Sequence, residues 1–153
     1  MNILKEIFTK TKFEDDEIVL VPFEDYFDKE NRSYCKFALD EEDIPLLTEF
    51  GKALKNTGGE IFVSIYGYEL EHKNGSGFAY GDCLWIRGIS IGDVSKLITL
   101  CGSSEPTGIC TVEELPQFDC SSVYIVKYKD NKNVTLEEYF IKDFNTAICL
   151  YWD

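Results

Sequence analysis

Apolar residues recur at helical spacing in a few stretches of the chain. In the clearest of them, Ile44, Leu47, Phe50 and Leu54 fall on one face of a helix. Asp40 is the expected N-cap, and the acidic residues after it suit the positive end of the helix dipole. The helix is expected to end near residue 56, just before a Gly-Gly pair. Weaker helical patterns occur at residues 3–8, Val94–Cys101, 111–114 and 135–141. Ser90 or Asp93 is the expected cap of the second of these.

Other stretches are rich in β-branched and aromatic residues and predict strands. Six such strands are expected: Glu17–Phe23, Ser33–Leu39, Glu60–Tyr68, Asp82–Ile89, Val123–Lys129 and Asn145–Trp152. The Asn-Gly step inside Lys73–Gly77 predicts a hairpin turn between two of them. Residues 102–110 are expected to form a loop and residues 131–133 a turn.

The order of these elements indicates an α+β fold, because the strands cluster and do not alternate regularly with helices. We expect a single domain over residues 1–153. Its sheet is expected to be mainly antiparallel or mixed, with about six strands and two or three helices on one face.

Charge narrows the possible partners. The 153 residues include 15 Lys and Arg against 28 Asp and Glu, a formal net charge of −13 at pH 7. Such a field repels phosphate backbones, so nucleic-acid binding is disfavoured. No apolar run is long enough to span a membrane, and no secretory signal pattern is visible, so we expect a cytoplasmic protein. The charge also exceeds what solubility needs, which favours a strongly basic partner.

The sequence shows no set of residues typical of catalysis. Its one histidine, His72, lies among charged residues beside the predicted turn and is interpreted as a solvated loop residue. The six cysteines have no zinc-site spacing, and with no export signal they are interpreted as mainly structural free thiols. The phosphate-binding, dinucleotide-binding and calcium-loop patterns are absent. We therefore expect no catalytic residues, no metal site and no cofactor.

Acidic runs such as 14–17 and 40–43 have few nearby cations. A partner-binding surface is predicted instead, a ring of carboxylates around an aromatic patch at the hairpin. Carboxylates would meet a basic partner, and Tyr and Trp are typical interface anchors. The chosen residues are Glu14, Asp15, Asp16, Asp82, Asp119, Asp130, Tyr80 and Trp85.

In overall character the chain resembles immunity proteins of bacterial contact-dependent inhibition and related polymorphic toxin systems. The resemblance covers length, negative charge, α+β pattern and the aromatic C-terminal stretch Tyr151-Trp152-Asp153. It implies a non-enzymatic inhibitor that neutralises one cognate basic toxin, commonly a nuclease, by occluding its active site. Two alternatives stay open: an adaptor that binds a peptide or protein at a sheet edge, and an enzyme that uses carboxylates or cysteines.

Overall fold

A computed structural model describes residue 4 and residues 17–67, 79–111, 123–125, 132–134 and 147–153. Three α-helices lie in this part of the chain: α1 (Phe23–Tyr26), α2 (Ile44–Asn56) and α3 (Ile91–Leu97). Short 3₁₀ helices occupy Lys29–Asn31 and Ile98–Ser104. The nine strands of the described residues are β1 (Ile18–Pro22), β2 (Cys35–Phe37), β3 (Glu60–Tyr66), β4 (Ala79–Gly81), β5 (Cys83–Arg87), β6 (Gly108–Thr111), β7 (Val123–Ile125), β8 (Lys132–Val134) and β9 (Ala147–Tyr151).

Seven strands form the main sheet, in the order β6-β9-β5-β3-β1-β7-β8. All neighbours are antiparallel except β1 and β7, which are parallel, so the sheet is mixed. The predicted pairing of the third and fourth strands is confirmed, with Val63 opposite Leu84. The α+β class is therefore confirmed.

The core lies between one face of this sheet and the helices. Alternate residues of the central strands point to that face, among them Val21, Val63 and Leu84. They belong to one cluster that also contains the buried residues of α1, α2 and α3. Most of the intervening strand residues, such as Leu20, Phe62 and Trp85, are buried as well, so the central strands are largely apolar on both faces.

Helix α2 follows the predicted pattern but begins differently. Leu47, Phe50 and Leu54 are buried, as expected. Asp40 is not its cap: Asp43 immediately precedes the helix, and its backbone N–H donates to the Asp40 carbonyl. Pro45 explains the shift, because proline is tolerated only in the first turn, which places the start of the helix at Ile44.

Several predictions of local structure were wrong. The expected loop at 102–110 contains the start of β6, whose last residue is Thr111. The expected turn at 131–133 overlaps strand β8, and the described residues hold nine strands where about six were expected. By contrast, the second predicted helix is present and begins at Ile91, after Ser90, one of its two expected caps. The Ser90 hydroxyl accepts from the Asp93 N–H at 3.2 Å. Its α-helical part ends at Leu97, and Ile98–Ser104 is 3₁₀ helix.

The remaining two strands form a small parallel sheet beside the main one. Cys35, Lys36 and Phe37 of β2 pair with Ala79, Tyr80 and Gly81 of β4. Predicted features at residues 5–8, 73–77, 112–114, 126–129 and 135–141 lie outside the described residues.

Candidate functional site

Only some of the predicted partner-binding residues can be located in the structure. Tyr80, Asp82 and Trp85 are described, and they occupy β4, the residue after it, and β5. The other predicted residues lie outside the described part of the chain: Glu14, Asp15, Asp16, Asp119 and Asp130.

Tyr80 and Asp82 lie close together at the edge of the small sheet. Tyr80 is 44% exposed and pairs in register with Lys36 of β2. Asp82 is half-buried, and its carboxylate accepts a hydrogen bond from the Cys83 thiol at 3.2 Å. The ring of Tyr80 is thus partly exposed to solvent, and the carboxylate of Asp82 has an internal contact.

Trp85 is not at the surface, so its selection as an interface anchor was wrong. Its side chain is 1% exposed, and the residue stands between Phe62 and Cys149 in the main sheet. The neighbours Leu84 and Ile86 are also fully buried. Because β5 is a central strand buried on both faces, neither side of it can contact a partner.

The most concentrated charge in the described residues is the run Asp40-Glu41-Glu42-Asp43, between β2 and α2. Three of its members are exposed, and Asp43 is half-exposed. Carboxylate oxygens of Asp40, Glu42 and Asp43 lie within 4.8 Å of one another. Among the described residues, the only ion pair to this run is Lys36 Nζ to Glu41 Oε1, at 3.8 Å. The run therefore gathers more negative charge than its neighbours neutralise.

Exposed side chains border this run on both sides. Leu46, in the first turn of α2, is 39% exposed, and its Cδ1 lies 3.4 Å from where a Cβ on Gly102 would stand. On the other side is Lys36, which forms an ion pair with Glu41 of the run. Lys36 also lies opposite Tyr80 where β2 pairs with β4. We call this surface the acidic face; its residues are Asp40, Glu41, Glu42, Asp43, Leu46 and Tyr80.

The same carboxylates are the group in the described residues with the closest resemblance to a metal site. Asp40, Glu42 and Asp43 would each offer one oxygen to a hard cation. Calcium takes six to eight oxygen ligands, and exposed acidic groups often gather without an ion. The arrangement is better suited to attracting mobile or protein-borne cations than to holding a metal.

Buried thiols in the structure are poorly suited to nucleophilic chemistry. Burial raises the pKa of Cys35 to about 12, and burial with nearby Glu105 raises that of Cys101 to about 11. The pKa of Cys149 is raised by a hydrogen bond with Cys83 and then by burial. A cysteine nucleophile needs a depressed pKa, so these three thiols are protonated and unreactive at neutral pH.

Sequence reasoning passed over the acidic face as a binding site. In the sequence, Asp40–Asp43 stands out both as a helix cap with its neighbours and as one of several acidic runs with few nearby cations, but none of these four residues is among the predicted contacts. The closeness of Tyr80 could not be seen, because it depends on a pairing between strands more than forty residues apart.

Comparison with known proteins gives no relative: no family model matches the chain, and neither curated proteins nor solved structures show a significant match. No helix among the described residues has the length and apolar character that crossing a membrane requires.

Proposed function

We propose that this protein is a non-enzymatic inhibitor that binds a basic protein through the acidic face. The favoured partner is a cognate toxin, such as a nuclease, whose active-site cleft the inhibitor would occlude. The observation that carries the proposal is the convergence of three carboxylates within 4.8 Å, in a run to which Lys36 alone of the described cations forms an ion pair.

Like charges held this close repel one another, and a cationic partner relieves that repulsion on binding. A surface of one sign also steers an oppositely charged partner, which raises association rates by roughly 10- to 1,000-fold at low salt. The gain falls when salt screens charges beyond about 8 Å. A basic nuclease cleft, which normally attracts phosphates, has the complementary potential.

The side chains that border the run supply the second requirement of a specific interface. Tyr80 and Leu46 are exposed to 44% and 39%, so a partner can bury them. Aromatic anchors surrounded by polar groups are typical of the residues that dominate binding energy. The acidic face thus combines attraction of a basic protein with apolar contact area.

A co-expression experiment tests this proposal. The product of the adjacent upstream reading frame is expressed with this chain, and growth and complex formation are measured. Wild type should restore growth and form a one-to-one complex. The variant Asp40→Asn/Glu41→Gln/Glu42→Gln/Asp43→Asn should bind at least about tenfold more weakly, with slower association and a smaller salt dependence.

A matched control separates the position of the charge from its amount. It removes four exposed carboxylates elsewhere: Glu30→Gln/Asp93→Asn/Glu105→Gln/Asp153→Asn. This control should bind like the wild type. Equal weakening in both variants, or absence of any complex with the wild type, would contradict the proposal.

One observation favours an adaptor function as a second candidate. Strand β6 is at the end of the main sheet, and among the described residues no strand pairs with its outer side. Its residues are uncharged, and Ile109 is 36% exposed. Uncharged edge strands of this kind can accept an added strand from a partner.

The same complex distinguishes the two candidates. Ile109→Lys places a charge of the type that protects natural sheet edges. It should leave a complex through the acidic face unchanged. If this single change abolished binding while the fourfold Asp40–Asp43 variant bound normally, the sheet edge would be the binding site.

A further inference from the structure

A cavity of about 720 Å³, open to solvent, lies between α1 and α2 near the start of β3. Its apolar lining includes Phe23, Phe27, Ile61 and Phe62. Phe23 and Phe62 are almost fully buried, whereas Phe27 is half-exposed. The size is in the range of pockets for small organic ligands, roughly 300–1,000 Å³.

Glycine in α2 brings the two walls of this cavity together. A Cβ on Gly51 would lie 2.2 Å from Cε1 of Phe23, so only glycine lets that ring pack directly against the helix. Thr48, Lys52 and Lys55 share the Gly51 side of α2, at spacings of three and four residues. This face of α2 therefore forms one wall, with lysines along it.

The charge around the cavity is opposite to that of the whole chain. Lys29 and Arg32 line it from the side of α1, and Lys52 and Lys55 from α2, against only two carboxylates, Glu24 and Glu60. The chain as a whole has a net charge of −13. Four of its 15 cationic residues thus surround one apolar cavity.

Two of these cations have no ion pair within the part of the chain that the structure describes. Lys55 forms an ion pair with Glu24, and Lys52 Nζ lies 3.4 Å from Glu49 Oε1. Glu60 is paired with buried Arg87 at 3.0 Å. By contrast, neither Lys29 nor Arg32 forms an ion pair with any described residue.

We propose that this cavity binds a small amphipathic carboxylate, with its apolar body against the phenylalanines and its head group at Lys29 and Arg32. A guanidinium can hold a carboxylate through two parallel hydrogen bonds, and a neighbouring ammonium adds charge. The acidic remainder of the protein repels small anions in general. An apolar body that is buried in the cavity offsets that repulsion.

Decanoate, below the concentration at which it forms micelles, is a suitable probe, and decanol is its uncharged match. Binding is followed by amide chemical shifts in ¹H–¹⁵N spectra. Decanoate should shift amides around the cavity and bind more tightly than decanol. Lys29→Gln/Arg32→Gln should weaken decanoate binding about tenfold or more and leave decanol binding unchanged. Lys36→Gln/Lys96→Gln makes the same change of charge outside the cavity and should bind decanoate like the wild type.

A variant that fills the cavity tests the apolar half of the proposal. Thr48→Trp should abolish binding of both ligands, while circular dichroism and the melting temperature show that it is folded. If it does not fold, the Lys29/Arg32 comparison decides alone. Absence of decanoate shifts, shifts away from the cavity, or equal weakening by both charge variants would overturn the proposal. None of these outcomes depends on a protein partner.

Discussion

Tyr26 links α1 to both strands of the small sheet. Its hydroxyl lies 2.7 Å from the Lys36 carbonyl oxygen and 2.6 Å from that of Ala79, so its one proton is shared between β2 and β4. The side chain is 1% exposed. Burial, and then the nearby Cys35, raise the pKa of Tyr26 well above 10, so it remains a hydrogen-bond donor at neutral pH.

We predict that Tyr26→Phe lowers the free energy of unfolding by about 1–2 kcal/mol. The ring contacts remain, but a buried carbonyl and a partly buried one lose their shared donor. A buried polar group that loses its partner costs about 1–3 kcal/mol. The lower part of that range applies because each carbonyl has a second lone pair. For a chain of this size the melting temperature should fall by about 3–6 °C.

Urea unfolding followed by circular dichroism measures this effect. Tyr80→Phe removes the same atom from a tyrosine that is 44% exposed, and it should change stability by less than about 0.5 kcal/mol. If the two variants have the same midpoint of unfolding, the shared hydrogen bond contributes nothing and the reasoning fails.

Two further predictions use the same assay. Raising the pH from 8 to 10 should destabilise the protein, since the folded-state pKa values of Cys35 (about 12) and Cys101 (about 11) exceed 9, and the unfolded chain loses these protons first. For each thiol the free energy of unfolding should fall by up to about 1.4 kcal/mol per pH unit above 9. Cys35→Ala/Cys101→Ala should make this fall with pH less steep. An equally steep fall in the variant would refute the reasoning. Gly51→Ala should destabilise by about 1–2 kcal/mol through its clash with Phe23, whereas Gly92→Ala, whose nearest neighbour is 4.0 Å away, should stabilise by up to about 1 kcal/mol. If both substitutions changed the stability in the same direction, the packing argument would be contradicted.

The parts of the fold that could be predicted are those with long, self-contained patterns. The apolar stripe through Leu47, Phe50 and Leu54 defined α2, and the helix ends before Gly58, whose φ of 98° suits glycine. The long strand runs around Val63 and Leu84 were equally clear, because each buries several successive residues. Such patterns report directly on burial.

The short strands could not be predicted, for a physical reason. Strands β4 and β8 have three residues each, too few to show an alternation. Strand β8 even contains Asn133, which favours turns, so its conformation depends on pairing with β7. Strand β4 likewise forms by pairing with β2, which is distant in the sequence.

Prediction of the site had the same limit. Residue type identified Tyr80 as a candidate anchor and also Trp85, and only the tertiary structure separates the exposed ring from the buried one. The cavity was not predicted at all, because Lys29 and Lys52 approach it from different elements. Sequence shows how much charge the chain carries, whereas the fold determines where that charge is concentrated.

The charged side chains of the described residues are unevenly distributed over the protein. This distribution bears on whether the excess of carboxylates has a function. Charge that served solubility alone would work best when spread evenly over the surface. Here carboxylates converge at Asp40–Asp43, while four cations surround one apolar cavity in the same chain. Because different residues form the two sites, the fourfold acidic-face variant should still bind decanoate, and Lys29→Gln/Arg32→Gln should still bind a basic protein. A loss of both activities from either variant would mean that the two sites are coupled.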